Sequence, residues 1–296
     1  MSGTTQERTC GLNPVDTVVL AYSAIIFVVI AFLGSKVPRQ ALHLFLPVGI
    51  SLFALIMSRW CQPTSPLWVR IVRDWYPVFI TPLFYKQLTF LIHSVHPGDM
   101  DQVLILLDRR LFSVDPTVWM ERVTAPWLTE YFQIVYSTFY FLPLLVGIPI
   151  YRTRSRLQFQ VAVFAVLVGF YSSYLGYILI PALGPRFTLH SLQSFPLRGI
   201  FAFETIHRTL DQIEQVTRDA FPSGHTEVTL ILLYLTWRYY RPLLIPMAVI
   251  SLSLIVSTVY LRYHYAVDVL AGSFLALACI VAARWLESYL LRKGRS

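Results

Sequence analysis

The chain has 296 residues, of which 56% are hydrophobic and only 14% charged, against about 25% charged in an ordinary soluble domain. That excludes a disordered chain and argues against a soluble enzyme. The net charge of +8 falls mostly in short loops between apolar runs, where the positive-inside bias accounts for it, so nucleic acid is not implied as a partner.

In chain order, the windows 17–35 and 40–58 contain no Asp, Glu, Lys or Arg, and each is long enough to cross a bilayer. The first follows Arg8 and lacks a convincing small-residue cleavage site, so it reads as a retained helix. Residues 75–92 form another candidate span. It carries Pro77, Pro82 and Lys86, which predicts a kinked or partly re-entrant segment with the lysine snorkelling. Residues 93–127 interleave Asp101, Asp108, Arg109 and Arg110 with Val103, Leu104, Leu107 and Leu111 at helical spacing. That pattern predicts an amphipathic interfacial helix, with 93–100 equally readable as a solvated loop. The windows 131–151, 157–185 and 242–261 are again free of charge. The windows 228–237 and 269–283 reach span length if they start near Ser223 and Tyr265.

The expectation is therefore an all-α polytopic membrane protein of about eight transmembrane helices. N-terminal spans occupy 1–92, the interfacial segment 93–127, and a six-helix catalytic core 128–291. Cys10, Cys61 and Cys279 form neither a CxxC pair nor a metal-ligand spacing and read as free thiols. Basic clusters beside span ends, at Arg152, Arg154 and Arg156 and at Arg292, Lys293 and Arg295, place the termini in the cytoplasm. The long 181–222 loop then lies on the opposite, periplasmic, extracellular or lumenal side.

Three segments on that side carry polar chemistry: Pro181-Ala182-Leu183-Gly184-Pro185-Arg186, Phe221-Pro222-Ser223-Gly224-His225-Thr226, and Ser257 to Asp268. His264 and Asp268 are four apart. On a helix the carboxylate can hold one imidazole nitrogen and leave the other as nucleophile or base. Ser223 and Gly224 at a helix start suit an anion. Arg186, Arg262 and Arg218 can neutralise a phosphoryl group, and His225 can protonate a leaving oxygen. Each piece has a plain alternative: a structural His–Asp bond, an ordinary helix start, an interfacial arginine. Their convergence from three segments favours phosphoryl transfer. His43, His93, His96, His190 and His207 lack a recognisable ligand partner. Glu227 reads as favouring a helix N-terminus, with recognition of an alcohol headgroup as the alternative, and Asp219 as a partner for Arg218 or Arg186.

Phe221-Pro222-Ser223-Gly224-His225, and Ser257 through His264 and Asp268 followed by Val269-Leu270-Ala271-Gly272, resemble the second and third signature motifs of the type 2 phosphatidic acid phosphatase (PAP2) superfamily. Lipid phosphatases, vanadium haloperoxidases and glucose-6-phosphatase belong to it. The run Gly176-Tyr177-Ile178-Leu179-Ile180-Pro181 to Gly184-Pro185-Arg186 is similar to the branch holding fungal inositol phosphorylceramide synthases. The resemblance implies that His264 attacks phosphorus to form a phosphohistidine and that Asp268 orients it. His225 would protonate the departing alkoxide and then activate water. Ser223 and the Gly224 N–H would bind phosphoryl oxygens, with no cofactor and no metal. Two departures stand out. Thr258 occupies the place of the usual motif serine and its arginine is missing, so that Arg262 becomes the candidate replacement. The first-motif lysine is replaced by Leu179.

The expected function is a lipid phosphate phosphatase working among membrane lipids on a lipid phosphate substrate. A phospholipid-headgroup transferase using an alcohol acceptor is the nearest alternative. A transporter is the alternative of another class, against which stands the lack of an inverted repeat.

Overall fold

The computed structural model describes residues 11–293 apart from Pro38 and Pro63. Arg8, Cys10 and Arg295 lie outside the described residues. The described helices are α1 (Pro14–Leu33), α2 (Gln40–Trp60), α3 (Leu67–Val95), α4 (Asp101–Phe112), α5 (Pro116–Trp119), α6 (Pro126–Ser137), α7 (Leu142–Thr153), α8 (Arg156–Leu179), α9 (Pro185–Thr188), α10 (Phe203–Glu214), α11 (Gly224–Tyr239), α12 (Leu244–Tyr260) and α13 (Ala266–Lys293). Among the described residues there is no β-strand. A single parallel bridge joins Ala182 to Asp219.

The chain is an all-α polytopic membrane protein, with fewer long apolar helices than the eight expected crossings. Among the described residues, five helices are long and apolar enough to span: Pro14–Leu33, Gln40–Trp60, Arg156–Leu179, Arg241–Tyr260 and Ala266–Lys293. A sixth span arises if Pro126–Tyr140 and Leu142–Thr153, bent by 47°, count as one. The two remaining windows are helical as well. The first lies inside α3, which also carries Arg70, Arg73 and Asp74 and runs unbroken through Pro77 and Pro82. The second is α11, only 16 residues long.

The chain divides into two compact units, Met1–Gln87 and Leu88–Ser296. In the first, Asn13 and Asp16 form a capping box at the start of α1. The buried Asp16 carboxylate also receives the Arg73 guanidinium through two bonds and the Tyr76 hydroxyl at 2.8 Å. A buried ion pair is tolerated when its lone pairs are satisfied in this way. Cys61 is buried and lies outside any disulfide among the described residues.

In the second unit, α8, α11 and α13 pack against one another, and α7 and α12 flank α11. The middle of α11 is fully buried through Val228, Ile231, Leu232 and Leu235. Ser155 and Gln158 start α8 with a capping box, and Ser223 caps α11. On α13, Phe274, Leu277, Val281 and Trp285 remain exposed, an apolar face suited to lipid.

Two glycines let helices approach the Pro222–Ser223 turn. A Cβ on Gly272 of α13 would run into the Ser223 carbonyl oxygen, and one on Gly176 of α8 into the Pro222 ring. Three buried carboxylates then pin loops by accepting backbone N–H groups. Asp101 holds Leu183 and Gly184, both at 2.9 Å. Asp108 holds Ala266 and Val267 at the start of α13, at 3.0 and 2.8 Å. Glu130 of α6 holds Ile200, Phe201, Ala202 and Phe203. Within the segment read from the sequence as interfacial, α4 contributes two of these anchors, Asp101 and Asp108.

Gly272→Val should force α13 off the Ser223 carbonyl at an overpacking cost of about 1–3 kcal/mol. Thermal unfolding in detergent should show a lowered midpoint; an unchanged midpoint would mean the two helices do not meet there.

Candidate phosphoryl-transfer site

After α12 the chain turns sharply. Arg262 takes a left-handed conformation at φ 67°, and the N–H groups of Tyr263 and His264 both donate to the Thr258 carbonyl at 3.0 Å. Helix α13 begins only at Ala266. His264 therefore precedes the helix, and the shared helical face expected for His264 and Asp268 does not form. His264 Nδ1 lies 2.7 Å from the Ala220 carbonyl oxygen and 3.5 Å from Asp268 Oδ2. The shorter contact decides the tautomer. A carbonyl only accepts, so Nδ1 carries the proton and Nε2 keeps its lone pair. Asp268 Oδ2 accepts the Tyr265 N–H at 2.8 Å, and the Asp268 carbonyl accepts the Ser223 N–H at 3.0 Å. Asp268 ties the two motif loops together as much as it faces the imidazole.

His225 occupies the first turn of α11. Its ring stacks on Tyr136 at 4.5 Å between centroids and lies against Phe139 at 4.2 Å. Tyr136 stacks in turn on Tyr263, also at 4.5 Å. The His225 and His264 centroids are 5.7 Å apart, and His225 Nε2 is buried without a hydrogen-bond partner. Burial holds the His264 imidazole below its ordinary pKa, against the opposing pull of Asp219 and the Ala220 carbonyl. The ring is neutral at pH 7, as a nucleophile must be.

The three arginines part company. The Arg186 backbone N–H donates to the Arg262 carbonyl at 2.9 Å, which seats its guanidinium 5.2 Å from the Tyr263 ring centre and 2.8 Å from Asp211. Arg262 points elsewhere: it bonds Gln193 at 2.9 Å, the Phe195 carbonyl at 3.0 Å and Glu121 at 2.8 Å. Arg218 pairs with Asp99 at 2.7 Å. Of the expected cradle, only Arg186 joins the aromatic stack that carries His225. Ser223 Oγ caps Thr226, and the Gly224 N–H bonds the Tyr177 hydroxyl, so both serve the helix start.

Several pairings here carried no signal in the sequence. His207 Nδ1 lies 2.7 Å from the Tyr263 hydroxyl, although its sequence context offers no partner. Glu214 receives the Tyr140 hydroxyl. Asp219 acts electrostatically on His264 and Glu214. Arg218 and Arg186 each hold a different carboxylate from the one the sequence suggested. These residues sit in the 181–222 loop, whose path follows from tertiary contacts alone.

A family model described as the PAP2 superfamily matches residues 102–282, which include Arg186, His225, His264 and Asp268. The chain belongs to the PAP2 superfamily. No curated protein and no solved structure matches it significantly. Membership supports an enzyme of the phosphatase or phosphotransferase kind acting in a lipid environment.

Burial, and then the Asp219 charge, raises the Glu214 carboxyl from 4.5 to about 7. The folded chain holds this proton more tightly than the unfolded chain. Stability from this group is thus greatest below the ordinary carboxylate range and is lost as pH rises towards about 7. Glu214→Gln should flatten that part of the curve of thermal midpoint against pH. A variant with the wild-type slope would place the titration on another group.

Proposed function

We propose that the protein cleaves a lipid phosphate ester or phosphoanhydride in two transfers through a phosphohistidine. The observation that carries this reading is the paired geometry of His264 and His225. One imidazole has its Nδ1 proton fixed and Nε2 free. The other lies 5.7 Å away with an unpartnered nitrogen. His264 Nε2 bonds to phosphorus as the phosphorus–oxygen bond to the lipid breaks, and His225 gives its proton to the leaving oxygen. Water then attacks phosphorus, His225 takes its proton, and the nitrogen–phosphorus bond breaks. Arg186 supplies the positive charge for the phosphoryl oxygens, and Asp268 holds the His264 loop against Ser223.

Topology supports a site on the non-cytoplasmic face. Helices α8 and α12 end at the site and α11 and α13 begin there. Arg152, Arg154, Arg156, Arg238, Arg241, Arg292 and Lys293 therefore lie towards the opposite ends of the bundle. On this reading residues 128–291 form the catalytic core and the lipid tails enter between helices.

The alternative acceptor is an alcohol rather than water, in the manner of an inositol phosphorylceramide synthase; the likeness of the run 176–186 to that branch supports it.

Purified protein in EDTA should release phosphate from at least one of phosphatidic acid, sphingosine 1-phosphate, diacylglycerol diphosphate and a polyprenyl diphosphate. His264→Ala should abolish release, and His225→Ala should slow it by about 10²–10⁴-fold. Release undiminished in His264→Ala would overturn the assignment. A folded wild type that releases nothing from the panel, but transfers phosphoryl groups once inositol or glycerol is added, would select the alcohol acceptor.

A further inference from the structure

One carboxylate on the catalytic helix is left over by this chemistry. Glu227 lies two residues after His225 on α11 and is fully buried. Its partners come from two other helices. Ser172 Oγ of α8 is 2.6 Å from Oε1, Ser173 Oγ of α8 bonds Oε2, and Cys279 Sγ of α13 is 3.4 Å from Oε1. The titratable groups facing it are Cys279 of α13 and Tyr177 of α8. No cation pairs with it among the described residues. A charge in such a place is costly.

The proton inventory points the same way. A serine hydroxyl has one hydrogen to give. Ser172 Oγ lies 2.7 Å from the Val168 carbonyl oxygen and 3.0 Å from that of Gly169, its own preceding helical turn. Both of those oxygens can only accept, so the Ser172 hydrogen belongs to them. The remaining short contact, to Glu227 Oε1, then needs its proton from the carboxyl. On the other oxygen, Ser173 Oγ also bonds the Tyr177 hydroxyl, and that hydroxyl receives the backbone N–H of Gly224. A Cβ on Gly224 would collide with the same hydroxyl. The chain of bonds therefore runs from Glu227 through Ser173 and Tyr177 to the residue adjoining His225.

We propose that Glu227 is a neutral carboxylic acid inside the bundle, and that it positions His225 by donating to Ser172 and accepting from Ser173. As donor and acceptor together it links α8 to the first turn of α11. An ionised carboxylate could only accept, and the Ser172 hydroxyl would then face three acceptors with one hydrogen. The positioning role rests on the His225 assignment above; the protonation state does not.

Two measurements test it. Infrared difference spectra of unliganded wild type against Glu227→Gln at pH 7 should contain the carbonyl stretch of a protonated carboxylic acid. Absence of that band overturns the neutral acid. The second measurement is affinity for orthovanadate, a phosphoryl mimic that needs no knowledge of the lipid. Glutamine offers the same donor and acceptor as a neutral acid, so Glu227→Gln should bind vanadate within about threefold of wild type. Ser173→Ala keeps the acid and cuts the link to Tyr177, and should weaken binding about tenfold, the effect of one lost buried hydrogen bond. Glu227→Gln as damaging as Glu227→Ala, with both folded by circular dichroism, would contradict the role. Failure of the wild type to bind vanadate would count against the phosphoryl-transfer reading, while the infrared band would still decide the protonation state.

Discussion

The junction between the Phe221–Gly224 turn and the start of α13 is backbone chemistry, and the catalytic pair depends on it. The Ser223 N–H reaches the Asp268 carbonyl, and the Ala220 carbonyl reaches His264 Nδ1. These two bonds run in opposite senses between the same two loops. They fix the two histidine rings relative to each other without using either reactive nitrogen. Gly272 is what lets α13 come close enough, since any side chain there would meet the Ser223 carbonyl. In this chain the glycine of the third motif is a packing requirement before it is a signature.

Around the junction, charge is used to hold loops more than to hold substrate. Asp101, Asp108 and Glu130 each accept two or more backbone N–H groups from loops and helix starts, where no intrahelical acceptor is available. A buried N–H without an acceptor costs about 1–3 kcal/mol, so each of these carboxylates replaces a penalty that would otherwise melt its loop. Arg262 and Arg218 are engaged in the same kind of work, against Glu121 and Asp99. Arg186, paired with Asp211, is held over Tyr263 as the cation of the aromatic stack that carries His225.

Much of this was legible in the sequence, and the limits have physical reasons. Charge-free windows gave the apolar helices because lipid imposes a hydrophobic length on any spanning segment. The windows at 75–92 and 223–237 are helical too, but one lies in a helix that carries charges and the other is only 16 residues long, so composition alone says less about them. His225 and His264 could be paired from motif order alone. The His264–Asp268 geometry was misread because i and i+4 spacing says nothing about where a helix begins, and α13 begins two residues after His264. The partners of Arg262 and Arg218 were hidden for a related reason. A guanidinium finds whatever carboxylate the tertiary fold brings, and Glu121 and Asp99 are far from their partners in the chain. Glu227 looked like a helix-dipole residue and instead faces two serines and a cysteine, contacts that only helix packing creates.

The central claim is that His264 is the nucleophile and that Nε2 is its reacting atom, because Nδ1 is committed to the Ala220 carbonyl. Rapid acid-free quenching during turnover of a ³²P-labelled lipid phosphate, followed by peptide mapping, tests it directly. The account predicts an acid-labile label on His264, attached at Nε2 and absent from His264→Ala. A label on His225, or on Nδ1 of His264, would contradict it.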